Sequence, residues 1–107
     1  MEINKYQEEA VKTAFFTGDG VVYCTLGLTG EAGEVADHVK KMFRDDGGEM
    51  TIEKKVAIVK ELGDVLWYIA NLANSIGVDM ETVANVNIDK LQSRMKRGTQ
   101  RGSGDNR

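Results

Sequence analysis

LTGEAGEVADHVKK (residues 28–41) and KELGDVLWYIA (residues 60–70) decide how this chain folds. Glu31 and Glu34 stand three apart in the first stretch, and Glu61 and Asp64 stand three apart in the second. Residues three apart on a helix share a face. At about 100° per residue, Val35, Met42 and Leu28 fall within roughly 60° of Glu31 on one side, with Glu34 about 60° away on the other. The second stretch repeats the arrangement, with Val65, Ile69 and Leu72 on the apolar side of Glu61 and Asp64 beyond it. Each helix therefore sets one acid at the margin of its core stripe and the next just outside. A solvated run would more often put its acids opposite the stripe. If the two helices pack antiparallel, four carboxylates converge. Like charges so placed repel unless a cation sits among them, and hard oxygen donors favour Mg²⁺, Mn²⁺ or Ca²⁺. The competing reading makes them ordinary boundary acids paired with Lys40, Lys41, Lys54 or Lys60.

Outward from these stretches the chain reads as helices separated by glycine clusters, with no proline. The first helix is expected over 4–16, capped by Asn4 and broken by TGDG at 17–20. The second spans 21–44, with Leu28, Ala32, Val35, Val39 and Met42 as its stripe and the short GVVYCTL absorbed into its start. RDDGG turns the chain. The third spans 52–76 behind a partial Thr51 cap, with Ile58, Leu62, Val65, Ile69, Leu72 and Ile76 as its stripe, and Gly77 ends it. Asp79 caps a fourth that runs to about Arg97. The glycine-rich GTQRGSGDNR has no apolar periodicity. Short connections imply antiparallel neighbours, so the fold class is all-α, a four-helix antiparallel bundle-like protomer. Glycines crowd the acids: Gly27, Gly30 and Gly33 beside the first pair, Gly63 inside the second. Each costs about 1 kcal/mol relative to alanine in a helix interior. Close helix approach or room for a ligand would offset that.

A chain of 107 residues supports one domain with a modest core. A net charge of -3 provides no basic field for a nucleic acid polymer. Cys24 is the single cysteine, which excludes an intrachain disulfide and fits a reducing, cytoplasmic setting. MEINKYQEEAVK is too polar for a secretory signal. No apolar run approaches the ~20 residues of a membrane span.

LGLTGEAGEVADHVKK followed by ELGDVLWYIANLA resembles the MazG-like, all-α nucleoside triphosphate pyrophosphohydrolases, whose hallmark is E-x-x-E on one helix and E-x-x-D on the next. NKYQEEAVKTA and the closing NIDKLQSRMKRGTQRGSGDNR resemble small members of the same family. The resemblance implies a domain over 1–97, a tail over 98–107, and Mg²⁺, or Mn²⁺, held by Glu31, Glu34, Glu61 and Asp64. It implies hydrolysis of a nucleoside triphosphate to the monophosphate and pyrophosphate, in a homodimer or homotetramer that completes the bundle. Glu34 and Glu61 are the candidates for general base. On the fourth helix Asn87, Lys90, Arg94 and Arg97 form a stripe beside Ala84, Ile88, Leu91 and Met95. With the family in view the stripe is a phosphate-facing rail; without it, a basic face near a helix C-terminus. Lys54 and Asn71 are further substrate-binding candidates, the second through a base or sugar. Trp67, Tyr68, Phe15, Phe16, Tyr6 and Tyr23 offer a stacking surface. Trp67, roughly opposite the third stripe, is expected against a second subunit. His38, between Glu31 and Glu34 on the wheel, is expected to hydrogen-bond a carboxylate rather than serve as a fifth ligand. The tail, with Arg101, Asp105, Asn106 and Arg107, is expected to close over bound nucleotide. Two alternatives stay open: a narrow enzyme, such as a dUTP or dCTP diphosphatase or a phosphoribosyl-ATP pyrophosphohydrolase, and a non-catalytic helical interaction module.

Overall fold

Four helices make up the computed structural model, which describes residues 1–98 and 101–105. They are α1 (Ile3–Lys12), α2 (Gly20–Asp45), α3 (Ile52–Ser75) and α4 (Met80–Arg97), and no strand occurs among the described residues. GVVYCTL is helical from its first residue because Asp19 caps α2. The Asp19 Oδ1 accepts from the Val21 and Val22 amides at 2.9 and 3.4 Å. Thr51 Oγ1 accepts from the Lys54 amide at 3.1 Å, and Asp79 Oδ1 from the Thr82 amide at 2.8 Å, so both expected caps are in place. Gly77 and Gly98 take left-handed φ values of 79° and 69°, which end α3 and α4 at low steric cost.

Two local expectations are corrected. The first helix ends at Lys12 rather than at residue 16. Thr13 Oγ1 turns back to the Ala10 carbonyl at 2.8 Å, and Phe16 leaves the helix path to stack on Tyr23, ring centroids 5.0 Å apart. Asn4 does not cap α1, whose N-cap residue is Glu2. It caps α4 instead: Asn4 Oδ1 accepts from the Glu81 amide at 2.9 Å. A residue in the first turn of one helix thus supplies an acceptor to the orphan donors of another.

The α2/α3 pair is the backbone of the fold. The helices run antiparallel, since Gly27 meets Tyr68 while His38, later on α2, meets Glu61, earlier on α3. α1 lies along α3, and α4 leans on α1 and α3. Among the described residues the backbones of α2 and α4 do not approach each other. The core is small: Ala10, Ala70, Ala73 and Met80 are buried, flanked by Ile3, Tyr6, Leu66, Trp67 and Ile69. The buried line on α3 therefore runs through Ala70, Asn71 and Ala73, whereas Leu62 and Ile76 of the expected stripe are exposed. Trp67 is on the core side, not opposite it. It packs against this cluster and its Nε1 donates to Thr13 Oγ1 at 2.8 Å. The wheel missed it because small residues let α1 approach α3 on that flank.

Gln7 ties three helices at one point. Its Nε2 donates to the carbonyls of Ala70 at 3.2 Å and Val78 at 3.0 Å, and its Oε1 accepts from the Met80 amide at 3.1 Å. The side chain is buried, so truncation strands backbone groups away from water. Gln7→Ala is expected to destabilise the protein by about 2–4 kcal/mol, on the scale of two to three broken buried bonds. Urea denaturation followed by circular dichroism checks this; a loss under about 0.5 kcal/mol would place Gln7 among ordinary surface positions.

The Cα radius of gyration is 16.6 Å, against about 13 Å for a compact domain of this length. The excess accompanies unpartnered apolar side chains: Val22, Leu26 and Phe43 on α2, Val56, Val59 and Leu62 on α3, Val86, Ile88, Leu91 and Met95 on α4. No helix is long and apolar enough to cross a membrane among the described residues.

Candidate functional site

Glu31 on α2 and Glu61 and Asp64 on α3 each offer a carboxylate oxygen within 4.8 Å of the others. The antiparallel crossing brings them together. Glu31 and Glu61 are half-buried and Asp64 is exposed, so the group opens to water on one side. Glu34 stands outside this trio, exposed, yet near enough for its charge to act on Glu31. The Glu31 carboxyl is pushed above its ordinary value, first by burial, then by contact with Glu61 and the charges of Asp64, Glu61 and Glu34. Three hard oxygen donors with a wet, open side fit a small divalent cation that keeps some of its waters.

The lysines of the competing reading are engaged elsewhere or stand clear. Lys40 and Lys41 both pair with Asp37, at 3.0 and 2.8 Å. Those contacts, Lys41 first, hold the Asp37 carboxyl at about 2. This contribution to stability is present above the unfolded value near 3.8 and is lost as pH falls toward 2. Among the described residues, none of the four acids forms an ion pair with Lys40, Lys41, Lys54 or Lys60. Among the described residues His38, beside Glu61, is the one basic side chain shown against the trio.

His38 supplies the support behind Glu61. Its Nε2 lies 3.4 Å from Glu61 Oε1, while its buried Nδ1 has no hydrogen-bond partner. The imidazole thus stands behind the carboxylate rather than in the trio. Lys54 lines a hollow of about 390 Å³ with His38, Asp46, Thr51, Glu53 and Ala57, one layer from Glu61. Asn71 is 2% exposed and its Nδ2 donates to the Trp67 carbonyl at 3.0 Å, which places it in the packing of α3 within this protomer.

The α4 residues form a second group. Asn87 and Lys90 line a shallow hollow with Val78, Thr82, Val83 and Val86. Lys90 and Arg94 both reach Asp105. Arg97 turns toward Ser93, its Nε donating to Ser93 Oγ at 3.1 Å. Among the described residues the α4 backbone stays clear of that of α2, while the Leu28 and Val83 side chains line one small hollow. In the tail, Gly104 and Asp105 lie back against α4, while Asn106 and Arg107 fall outside the described residues.

Phe16, Tyr23, Tyr68 and Trp67 form a chain of rings that crosses from α2 to α3, with successive centroids 5.0, 6.2 and 5.0 Å apart. Phe15 is 93% exposed and stands apart from it. Gly27 is what lets the chain of rings close, since a methyl at that position would overlap the Tyr68 ring. Gly30, Gly33 and Gly63 have nothing within 4 Å of a methyl position. The two kinds of glycine should separate on mutation. Gly27→Ala is expected to destabilise by about 1–3 kcal/mol through overpacking, despite the gain in helix propensity. Gly63→Ala is expected to stabilise the isolated chain by up to about 1 kcal/mol. Thermal melts of both variants check the signs; equal signs would mean that Gly27 is not a packing glycine. Sequence reasoning also missed Tyr6 as a neighbour of Asp64, whose charge adds to burial in raising the Tyr6 hydroxyl above its usual range. No local pattern marks that approach, because α1 and α3 meet only in the folded chain.

The fold and the site together define an all-α protein with a carboxylate centre between two antiparallel helices. The MazG nucleotide pyrophosphohydrolase domain matches residues 23–99, a span that includes all four acids, and the chain belongs to that family. It is similar to the Gene 37 protein of Mycobacterium phage L5, with 47% identity over 114 aligned positions that take in 100% of both chains. No solved structure shows significant similarity to it.

Proposed function

We propose that the protein is a Mg²⁺-dependent nucleoside triphosphate pyrophosphohydrolase that converts a (deoxy)nucleoside triphosphate to the monophosphate and pyrophosphate. The observation that carries this reading is the convergence of Glu31, Glu61 and Asp64 from two helices in a chain of this family. Glu31, Glu61 and Asp64 hold the metal, with Mn²⁺ as a substitute, and Glu34 joins them from the solvent side. A divalent cation there supplies charge neutralisation for the triphosphate and activates water. Glu34 and Glu61 are the two groups placed to take the proton of the attacking water. Glu34 is the less constrained, since it stands outside the trio. Glu61 is steadied by His38.

The triphosphate needs cationic or hydrogen-bonding partners beyond the metal. Asn87, Lys90, Arg94 and Arg97 of α4 are the candidates, with Lys54 behind His38. They reach the acids through self-association. The exposed apolar faces of α2, α3 and α4 give a second copy a surface to cover, in a homodimer or homotetramer. The ring chain around Tyr68 serves the base or sugar. The tail over 98–107 closes on bound nucleotide, and the enzyme acts on a nucleotide pool in the cytoplasm.

The test is incubation of the purified protein with Mg²⁺ and a panel of ribo- and deoxyribonucleoside triphosphates, with products resolved by chromatography. Monophosphate and pyrophosphate in equal amounts are expected, and the ranking of bases separates a broad enzyme from a narrow diphosphatase. Release of orthophosphate, or no turnover of any nucleotide by a folded protein, overturns the proposal.

A further inference from the structure

Arg94 is a cation that the fold has taken almost wholly out of water. It is 4% exposed. Its Nη2 donates to the carbonyls of Gly104 and Asp105 at 3.2 and 3.1 Å and to Asp105 Oδ1 at 3.3 Å. Lys90, one turn earlier on the same face, donates its Nζ to that same oxygen at 3.1 Å. A single carboxylate oxygen from the tail therefore bridges two cations of α4.

The fit is incomplete on the guanidinium side. Three acceptors crowd Nη2, whereas Nε on the same edge of the fork is buried with no partner among the described residues. A guanidinium edge is built for two parallel bonds to an oxyanion. Asp105 uses only one of them, and its side chain is 83% exposed. Lys90 and then Arg94 hold the Asp105 carboxyl below its ordinary value, so it stays charged at neutral pH. The carboxylate end of the contact stands largely in water, where screening weakens it. A tetrahedral phosphate presents more oxygens. It can take Nη2 and Nε together and still reach Lys90.

We propose that Lys90 and Arg94 form a phosphate site that the chain's own Asp105 occupies at rest, and that an incoming phosphate group displaces it. This rests on the reading of α4 as phosphate-facing and adds that the free protein is self-occupied. The tail then has two positions, one held by Arg94 and Lys90 and one released. Release, rather than first encounter, sets part of the cost of binding.

The test titrates the full chain with inorganic pyrophosphate, and in parallel with a non-hydrolysable imido nucleoside triphosphate, by calorimetry in EDTA at low salt. Asp105→Asn is expected to bind either probe about two- to fivefold tighter than the parent, the range a contact to a solvent-exposed carboxylate can supply. Lys90→Gln is expected to weaken both. Tighter binding of the nucleotide alone would make it the displacing ligand, and tighter binding of both would mean that a phosphate group suffices. If Asp105→Asn binds equally or more weakly while Lys90→Gln still weakens binding, self-occupation is wrong and the phosphate reading stands. If Asp105→Asn only lowers the melting temperature, the contact is a strut and the proposal falls. If no variant binds pyrophosphate or the nucleotide, the phosphate site falls and self-occupation with it.

Discussion

Replacing Glu61 by glutamine is expected to abolish turnover and leave the helical fold intact. The expected loss in kcat is about 10³-fold or more, at the upper end of what a single acid–base or charge-stabilising group supplies. Glu61 is singled out by its position. It shares the trio with Glu31 and Asp64, and it alone of the three is in contact with His38 Nε2, at 3.4 Å. The amide keeps the shape and an oxygen that can still accept from the imidazole. What disappears is the charge. The same loss relieves Glu31, whose carboxyl is raised partly by Glu61, so the variant without metal is expected to melt at the same temperature as the parent or above it. Steady-state assays with the best nucleotide of the panel, alongside far-ultraviolet circular dichroism, measure both halves. An active, folded Glu61→Gln enzyme would remove this residue from the centre.

Added Mg²⁺ is expected to raise the melting temperature of the parent and to leave Glu61→Gln nearly unmoved. A cation at 100 times its dissociation constant stabilises by about 2.7 kcal/mol through mass action. In a chain of this size that corresponds to roughly 10 °C or more. The effect also has a pH signature. A carboxyl with its folded pKa above its unfolded value binds more protons when folded. Its contribution to stability therefore falls as pH rises from the ordinary 4.5 of Glu31 through the raised value. In EDTA, Glu31→Gln is expected to gain on the parent in melting temperature over that window, since it has no charge to expose to Glu61 and Asp64. Differential scanning fluorimetry across pH, with and without Mg²⁺, checks both effects. A parent protein indifferent to Mg²⁺ would favour a helical interaction module over an enzyme.

Much of the fold is local in origin and so is written locally. The spacing of Glu31 and Glu34 against Val35 and Met42, and of Glu61 and Asp64 against Val65 and Ile69, fixes two amphipathic helices whatever the rest of the chain does. Thr51 and Asp79 mark where two helices begin, and Gly77 where one ends, because capping chemistry acts over three or four residues. The all-α class and the family were legible on those grounds, and so was the meeting of Glu31, Glu61 and Asp64 once an antiparallel hairpin was assumed.

Other features depend on distances that no window of sequence contains. Asn4 caps a helix that begins 76 residues later, and Gln7 binds the Ala70, Val78 and Met80 backbones. Both look in sequence like ordinary polar residues of a surface helix. A wheel puts Trp67 on the wrong flank because it weighs large side chains, whereas the closest packing of α3 runs over Ala70 and Ala73. Only the tertiary structure separated Glu34 from the trio, spent Lys40 and Lys41 on Asp37, and turned the tail back onto Arg94. The physical reason is the same in each case. Periodicity and caps are set by neighbours along the chain, so the sequence by itself determined the helices and the residues able to ligate a metal. Which charges meet, and which are left unpaired, is set by how helices cross, and that was decided by the packing of small residues far apart in the chain.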